Sequence, residues 1–175
     1  TATTTTPTID VHRLWTDGIP PTLTTQLSFH NGSSTQSIDL GVVFTEQTPL
    51  LTIDSTLNHW FSEDKHLWVS IPNGRHTLEF SLSLPTGSTE IPLSFNSDIW
   101  PEIESWAIQT QTNLRQVRIN NLQPVAASQT TLPAEWQSFP TYQRSQSATP
   151  EIEEIHRGDP TPRNNRLTLQ RIIWP

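Results

Sequence analysis

The chain has 175 residues and no cysteine; at this length one core buries roughly 70% of the unfolded surface without disulfide or metal staples. A hydrophobic share of 33% and a charged share of 15% disfavour helical bundles and coiled coils, which need Ala, Glu, Lys and Leu in bulk. The formal net charge of −7, with Lys65 as the single lysine, gives no basic footprint for a phosphate backbone, so nucleic acid is not an expected partner.

Residues 1–7 are Thr-rich with nothing to bury and read as a disordered lead-in. A first strand is expected over 9–14. Leu23, Thr25, Leu27 and Phe29 alternate with polar residues, as do Ile38, Leu40, Val42 and Phe44; a period of two means strands. Asn31-Gly32 between them supplies the positive-φ residues of a tight turn, so the pair is expected to form an antiparallel hairpin.

The apolar run 50–57 leads into residues 58–65, which read as a polar loop carrying Trp60 and Phe61. A strand over 67–71, the break Pro72-Asn73-Gly74 and a strand over 75–84 make a second expected hairpin, with His76, Leu78, Phe80, Leu82 and Leu84 on one face. Pro85-Thr86-Gly87 turns the chain again before Ile91, Leu93 and Phe95, which suggests a meander. Trp106 and Ile108, then a strand over 114–122, read as a further hairpin. Residues 123–166 are rich in Pro, Gln, Ser and Thr and read as a long loop or linker packed on the core, with 151–155 as a possible helical turn; 167–175 close the chain as a final strand. The expected fold is therefore all-β, an antiparallel β-sandwich or jelly roll with its core in 8–122 and an irregular segment near the C-terminus.

Chemistry-bearing patterns are sparse. The six histidines lack the short paired spacing of a zinc site; His59, His66 and His76 flank neighbouring strands and could meet Asp54, Glu63 or Asp64, but solvated turn histidines explain them better. Glu63, Asp64, Asp98, Glu102 and Glu104 would have to supply the carboxylate pair of a glycosidase. No nucleophile elbow and no glycine-rich phosphate loop is present, so no enzyme activity, cofactor or metal is expected. Glu151, Glu153 and Glu154 lack the alternation of a calcium loop. Asn31-Gly32-Ser33 matches a glycosylation acceptor, which its turn role also explains.

Seven tryptophans against one tyrosine carry more information. Trp68 and Trp106 lie inside alternating strands and are assigned to the core. Trp60, Trp100 and Trp136 sit beside polar residues and, framed by groups such as Asp98, are the expected platforms if a pyranose stacks on this protein.

The segment Leu67-Trp68-Val69-Ser70-Ile71-Pro72-Asn73-Gly74-Arg75-His76-Thr77-Leu78, with Ile91-Pro92-Leu93 and Arg115-Gln116-Val117-Arg118-Ile119, resembles the extracytoplasmic β-sandwich region of large bacterial integral membrane proteins over about half the chain. That resemblance implies a non-enzymatic periplasmic module with its spanning helices elsewhere in a parent protein, partnered by the rest of that chain or by another protein. The absence of methionine, including at position 1, and the end at Trp174-Pro175 in an apolar run fit an excised piece of a longer protein. With no run of ~18 apolar residues, the segment itself is not expected to insert in a membrane. The acidic, Lys-poor composition points to a periplasmic or extracellular setting. Two functions are weighed: a structural or protein-interaction module and, as the alternative, a carbohydrate-binding module using loop tryptophans.

Overall fold

The computed structural model describes residues 5–93, 98–111 and 115–157. They form an all-β fold of twelve strands with two short 3-10 turns and no α-helix. In chain order these are β1 (Thr8–Thr16), β2 (Thr22–Asn31), β3 (Gln36–Asp39), β4 (Leu50–Ser55), β5 (Asn58–Phe61), β6 (Leu67–Ile71), β7 (Gly74–Ser83), β8 (Ile103–Gln109), β9 (Arg115–Asn120), β10 (Gln123–Pro124), β11 (Thr141–Ser145) and β12 (Glu151–Arg157). A seven-stranded sheet runs in the order β10-β11-β8-β1-β2-β7-β4, beside a three-stranded sheet β3-β6-β5 and a two-stranded sheet β12-β9. All pairings are antiparallel except β1 with β8, which is parallel.

Alternation decides which face is covered. Ile9 and Val11 of β1, Leu27 and Phe29 of β2, and Leu78, Phe80 and Leu82 of β7 meet Ile38, Leu67, Val69 and Ile71 of the three-stranded sheet in one apolar cluster. Farther along the same face, Trp15, Leu23, Trp106 and Ile108 meet Ile119, with Val117 and Ile152 packed against them from the two-stranded sheet. The small sheets thus lie side by side on one face of the large one. On the opposite face, Leu132, Trp136 and Phe139 cover Ala107 and Leu14.

The strands at 22–31 and 67–83 form as expected, but their partners differ from the hairpins suggested by the turn residues. β2 pairs with β1 and β7, whereas β3 pairs with β6. Asn31-Gly32 and Pro72-Asn73-Gly74 are therefore crossings between sheets. The ribbon β2–β7 passes into the ribbon β3–β6, with Asn31 opposite Gly74 on one side and Gln36 opposite Ile71 on the other. The crossings are laced together by amides: Asn31 Nδ2 donates to the Ile71 carbonyl at 2.8 Å, and Asn73 Nδ2 donates to the Ser33 carbonyl at 3.1 Å. Gly74, at φ +111°, takes the left-handed backbone that a side chain would strain. Asn31 is buried by this role, which removes it as a glycosylation acceptor.

Other expectations change too. Residues 58–61 are strand β5 rather than loop, and 151–157 are strand β12 rather than a helical turn. β8 and β9 do not pair with each other: β8 joins β1 and β11, and β9 joins β12. Within the expected linker, β11 is an interior strand of the large sheet, because Thr141 to Ser145 align with β8 where its backbone would otherwise go unpaired. At the start, Pro7 is buried and the Thr5 carbonyl accepts from Gln36 Nε2 at 2.8 Å. After Gly87 the described part of the expected third strand, up to residue 93, shows one bridge, Glu90 with Glu151. Phe95 and the expected final strand over 167–175 lie outside the described residues. No helix among the described residues is long and apolar enough to cross a membrane.

Candidate functional site

Two constellations stand out, one inside the sandwich and one on its surface. The inner one is a polar row crossing four neighbouring strands between the two apolar clusters. Its members are Arg144 of β11, Glu104 of β8, Arg13 of β1 and Thr25 of β2, with Arg144 opposite Glu104 and Arg13 opposite Thr25 in register. Arg13 is 2% exposed, Glu104 1% and Arg144 4%. Arg13 grips the carboxylate with two bonds, Nε to Oε2 at 3.0 Å and Nη2 to Oε1 at 3.2 Å, while its Nη1 donates to Thr25 Oγ1 at 2.9 Å. Trp106 Nε1 donates to the same Glu104 Oε2 at 3.0 Å, and Arg144 Nη1 lies 3.3 Å from it. Arg144 Nε and Nη2 donate to the Ala148 and Gln146 carbonyls at 2.7 and 3.1 Å, tying the loop after β11 to its strand. The Arg13 guanidinium lies 5.4 Å from the Trp100 ring centre and 5.8 Å from that of Trp106, one ring from each cluster.

Burial pushes the Glu104 carboxyl upward, yet the guanidiniums of Arg13 and Arg144 and the Trp106 N–H outweigh it and hold the group below its ordinary value. Burial in turn lowers Arg144. A carboxylate held below its ordinary value and engaged at both oxygens is a poor proton acceptor, and its contacts join β8 to β1 and β11. A second pair, Asp17 with Arg115 (Nε–Oδ1 2.9 Å), joins the end of β1 to β9; Glu154 lies 3.3 Å from Arg115 Nη1, and the Asp17 bond raises the guanidinium further.

The outer constellation lies on the solvent face of the three-stranded sheet. Along β6, Leu67, Val69 and Ile71 are buried while Trp68 and Ser70 are only half-buried. Trp68 therefore faces outward rather than filling the core as expected. Its register partner on β5 is Trp60, 44% exposed, and the two indoles are parallel to within 12° with centres 6.2 Å apart. On the other side Trp68 aligns with Asp39 of β3. Asp39 is oriented by His66 Nδ1 at 2.8 Å and by the Gly41 N–H at 2.7 Å. The adjacent row on this face is Ser37, Ser70 and Asn58.

The structure thus keeps one expected platform and removes two. Trp60 is exposed, but Trp100 is 5% exposed and Trp136 6%. Trp100 packs in the first cluster with its Nε1 donating to the Leu40 carbonyl at 3.2 Å, and Trp136 covers the outer face of the large sheet. Trp100 thus fills space between the two layers, whereas Trp136 caps the opposite face of the large sheet. Asp98 is exposed and stands near the start of the segment leading to β8. Trp106 is core, as expected.

The three histidines stay apart. His59 Nδ1 bonds the Leu57 carbonyl at 3.0 Å, His76 Nε2 the Asn73 carbonyl at 3.1 Å, and His66 pairs with Asp39. Among the described residues no group of three or more His, Asp or Glu is placed to hold a metal. Period-two reading could have found most of both constellations: Arg13 is in phase with Ile9, Val11 and Trp15, Glu104 is in phase with Trp106 and Ile108, and Trp68 is out of phase with Leu67 and Val69, while Arg144 lies in a segment without alternation.

No protein-family model and no curated protein matches the chain. Among solved structures, the fold is similar to part of an aminopeptidase N family protein from Idiomarina loihiensis, with a TM-score of 0.50 and 9% identity over 82% of this chain. The chain spans 29% of that protein's length. At this identity the likeness is one of fold.

Proposed function

We propose that this chain is a non-enzymatic β-sandwich module that works by binding, as an accessory part of a larger extracytoplasmic, membrane-anchored protein. The observation carrying this reading is the contrast between its two constellations. Among the buried ionisable groups, Arg13, Glu104 and Arg144 form one set of pairs that joins strands and Asp17 pairs with the half-buried Arg115, while the accessible feature is an aromatic sheet face. In the aminopeptidase N family neighbour the similar fold is a minor share of a longer chain, which supports an accessory role. The extracytoplasmic and membrane-anchored setting rests on the resemblance carried by residues 67–78 and on the acidic, Lys-poor composition.

The test is turnover. Purified protein incubated with chromogenic aminoacyl, ester and glycoside substrates is expected to release no product above the buffer rate. Release that is abolished by replacing one of its own carboxylates or histidines would overturn the reading.

A further inference from the structure

We infer that the outer face of the three-stranded sheet binds a neutral oligosaccharide, with Trp60 as the stacking platform and Trp68 as its backing. The inference rests on the binding-module reading and names the ligand class of that face. The order across the sheet, Asp39–Trp68–Trp60, ends at Trp60 because β5 is the edge strand. Trp68 stands between Asp39 and Trp60, so the indole with a free side is that of Trp60. A pyranose presents a flat patch of C–H groups on one face and hydroxyls around its rim. Burying that patch on an indole removes apolar surface from water on both partners, while the rim needs donors and acceptors near the ring.

The same face supplies them. Asn58 lies two residues before Trp60 with its Cβ on the same side, opposite Ser70, and Ser37 completes that row. Asp39 is held by His66 and Gly41, so the ground beneath the rings is ordered before a ligand arrives. Phe61 belongs to the other side of β5 and packs edge-on against Phe44, with centres 5.4 Å apart. The outer face therefore alternates rings with amide and hydroxyl groups, where a protein-docking patch would present a continuous apolar centre. Charge selects among sugars: Glu63 and Asp64 face one lysine, Lys65, in the loop after β5, on a chain of net charge −7, which opposes uronic-acid polymers.

The shallow depression of about 560 Å³ on the outer face of the large sheet, lined by residues such as Asp10, Ser28, His30 and Arg75, lacks this pairing of ring and rim. Its one aromatic, Phe29, turns its side chain into the core.

Native gels cast with soluble β-glucan, xyloglucan, galactomannan or alginate test the inference. The wild-type chain is expected to be retarded by at least one of the three neutral polymers and not by alginate. Trp60→Ala should weaken that retardation about tenfold or more, Trp60→Phe should keep part of it, and Asn58→Ala should reduce it. Near-UV circular dichroism confirms that each variant is folded. Retardation by no neutral polymer, by alginate alone, or equally in wild type and Trp60→Ala would overturn the site. Such a failure with no substrate turnover leaves the non-enzymatic module standing, whereas turnover removes the module reading however the gels run.

Discussion

The inner row and the outer face reverse the usual distribution of side chains. Two arginines and a glutamate lie at the centre of the sandwich, at 2%, 4% and 1% exposure, while a tryptophan on an edge strand is 44% exposed. Each departure has a cost, and the neighbours show what offsets it. Inside, desolvation is offset by the bidentate Arg13–Glu104 contact, the Trp106 donor and two loop carbonyls. Outside, Trp60 remains 44% exposed among the described residues, and the proposed ligand is what would cover it. Buried charge here joins strands; exposed aromatic surface is where the proposal places recognition.

Breaking the inner row should have the largest effect. Arg13→Ala removes both bonds to Glu104, the Thr25 bond and the guanidinium's contacts with the Trp100 and Trp106 rings, leaving Glu104 with Arg144 and the Trp106 N–H beside an empty volume. A loss of about 3–5 kcal/mol is expected, read as a lower midpoint in a urea melt. A midpoint within experimental scatter of wild type would mean the row is incidental.

The crossing between sheets ranks next. In Asn31→Ala the Ile71 and Ser34 carbonyls lose their amide donor and Ser33 loses its acceptor, for an expected cost of about 1–3 kcal/mol. Hydrogen exchange should quicken first in β3 and β6, beyond the crossing, and least in β1.

A pH series reads two buried groups of the large sheet, His12 and Glu104. His12, buried on the far face of β1 with its Nε2 2.9 Å from Thr131 Oγ1, is held below its ordinary 6.5 by burial, partly countered by Asp10. The folded chain thus keeps this ring neutral while the unfolded chain takes up a proton as pH falls through 6.5, so stability must fall on acidification below that value. His12→Gln should flatten that part of the curve. Glu104 adds a second fall: its folded carboxyl lies below its ordinary 4.5, so the unfolded chain is protonated first as pH drops through that value.

The smallest stability effect belongs to the outer face. Trp60→Ala should cost about 1 kcal/mol, the worth of one stacked aromatic contact, because the ring's open side contributes nothing to the fold. A loss as large as that of Arg13→Ala would make Trp60 a core residue by another name.

Alternation made the long central strands legible, but not the run Ile38, Leu40, Val42 and Phe44, where the strand is Gln36–Asp39 and the phase slips so that Val43 rather than Val42 is buried. Leu23 to Phe29 and Leu78 to Leu82 form strands and turn their apolar side chains to the core as their pattern predicts, and the two-layer architecture follows. Pairing was not legible, since a turn dipeptide marks where the chain bends and carries no information about which sheet it bends into. The Asn31 amide finds the Ile71 carbonyl forty residues away, and a local reading sees only the bend. β11 was hidden because Thr-Tyr-Gln-Arg-Ser has no apolar alternation: Arg144 occupies the inward position, and it is acceptable there only because Glu104 stands opposite. The candidate site was half legible. Trp60 stood out by composition, while Trp100 and Trp136 could not be told from it without knowing what covers them.

One substitution tests the division of labour most directly. Glu104→Gln keeps the shape of the buried row and removes its negative charge, and both the urea midpoint and the retention on a neutral polysaccharide gel can be measured on the same preparation. The account predicts a clearly lowered midpoint with retention equal to wild type below the transition; an unchanged midpoint, or a native midpoint with retention lost, would contradict it.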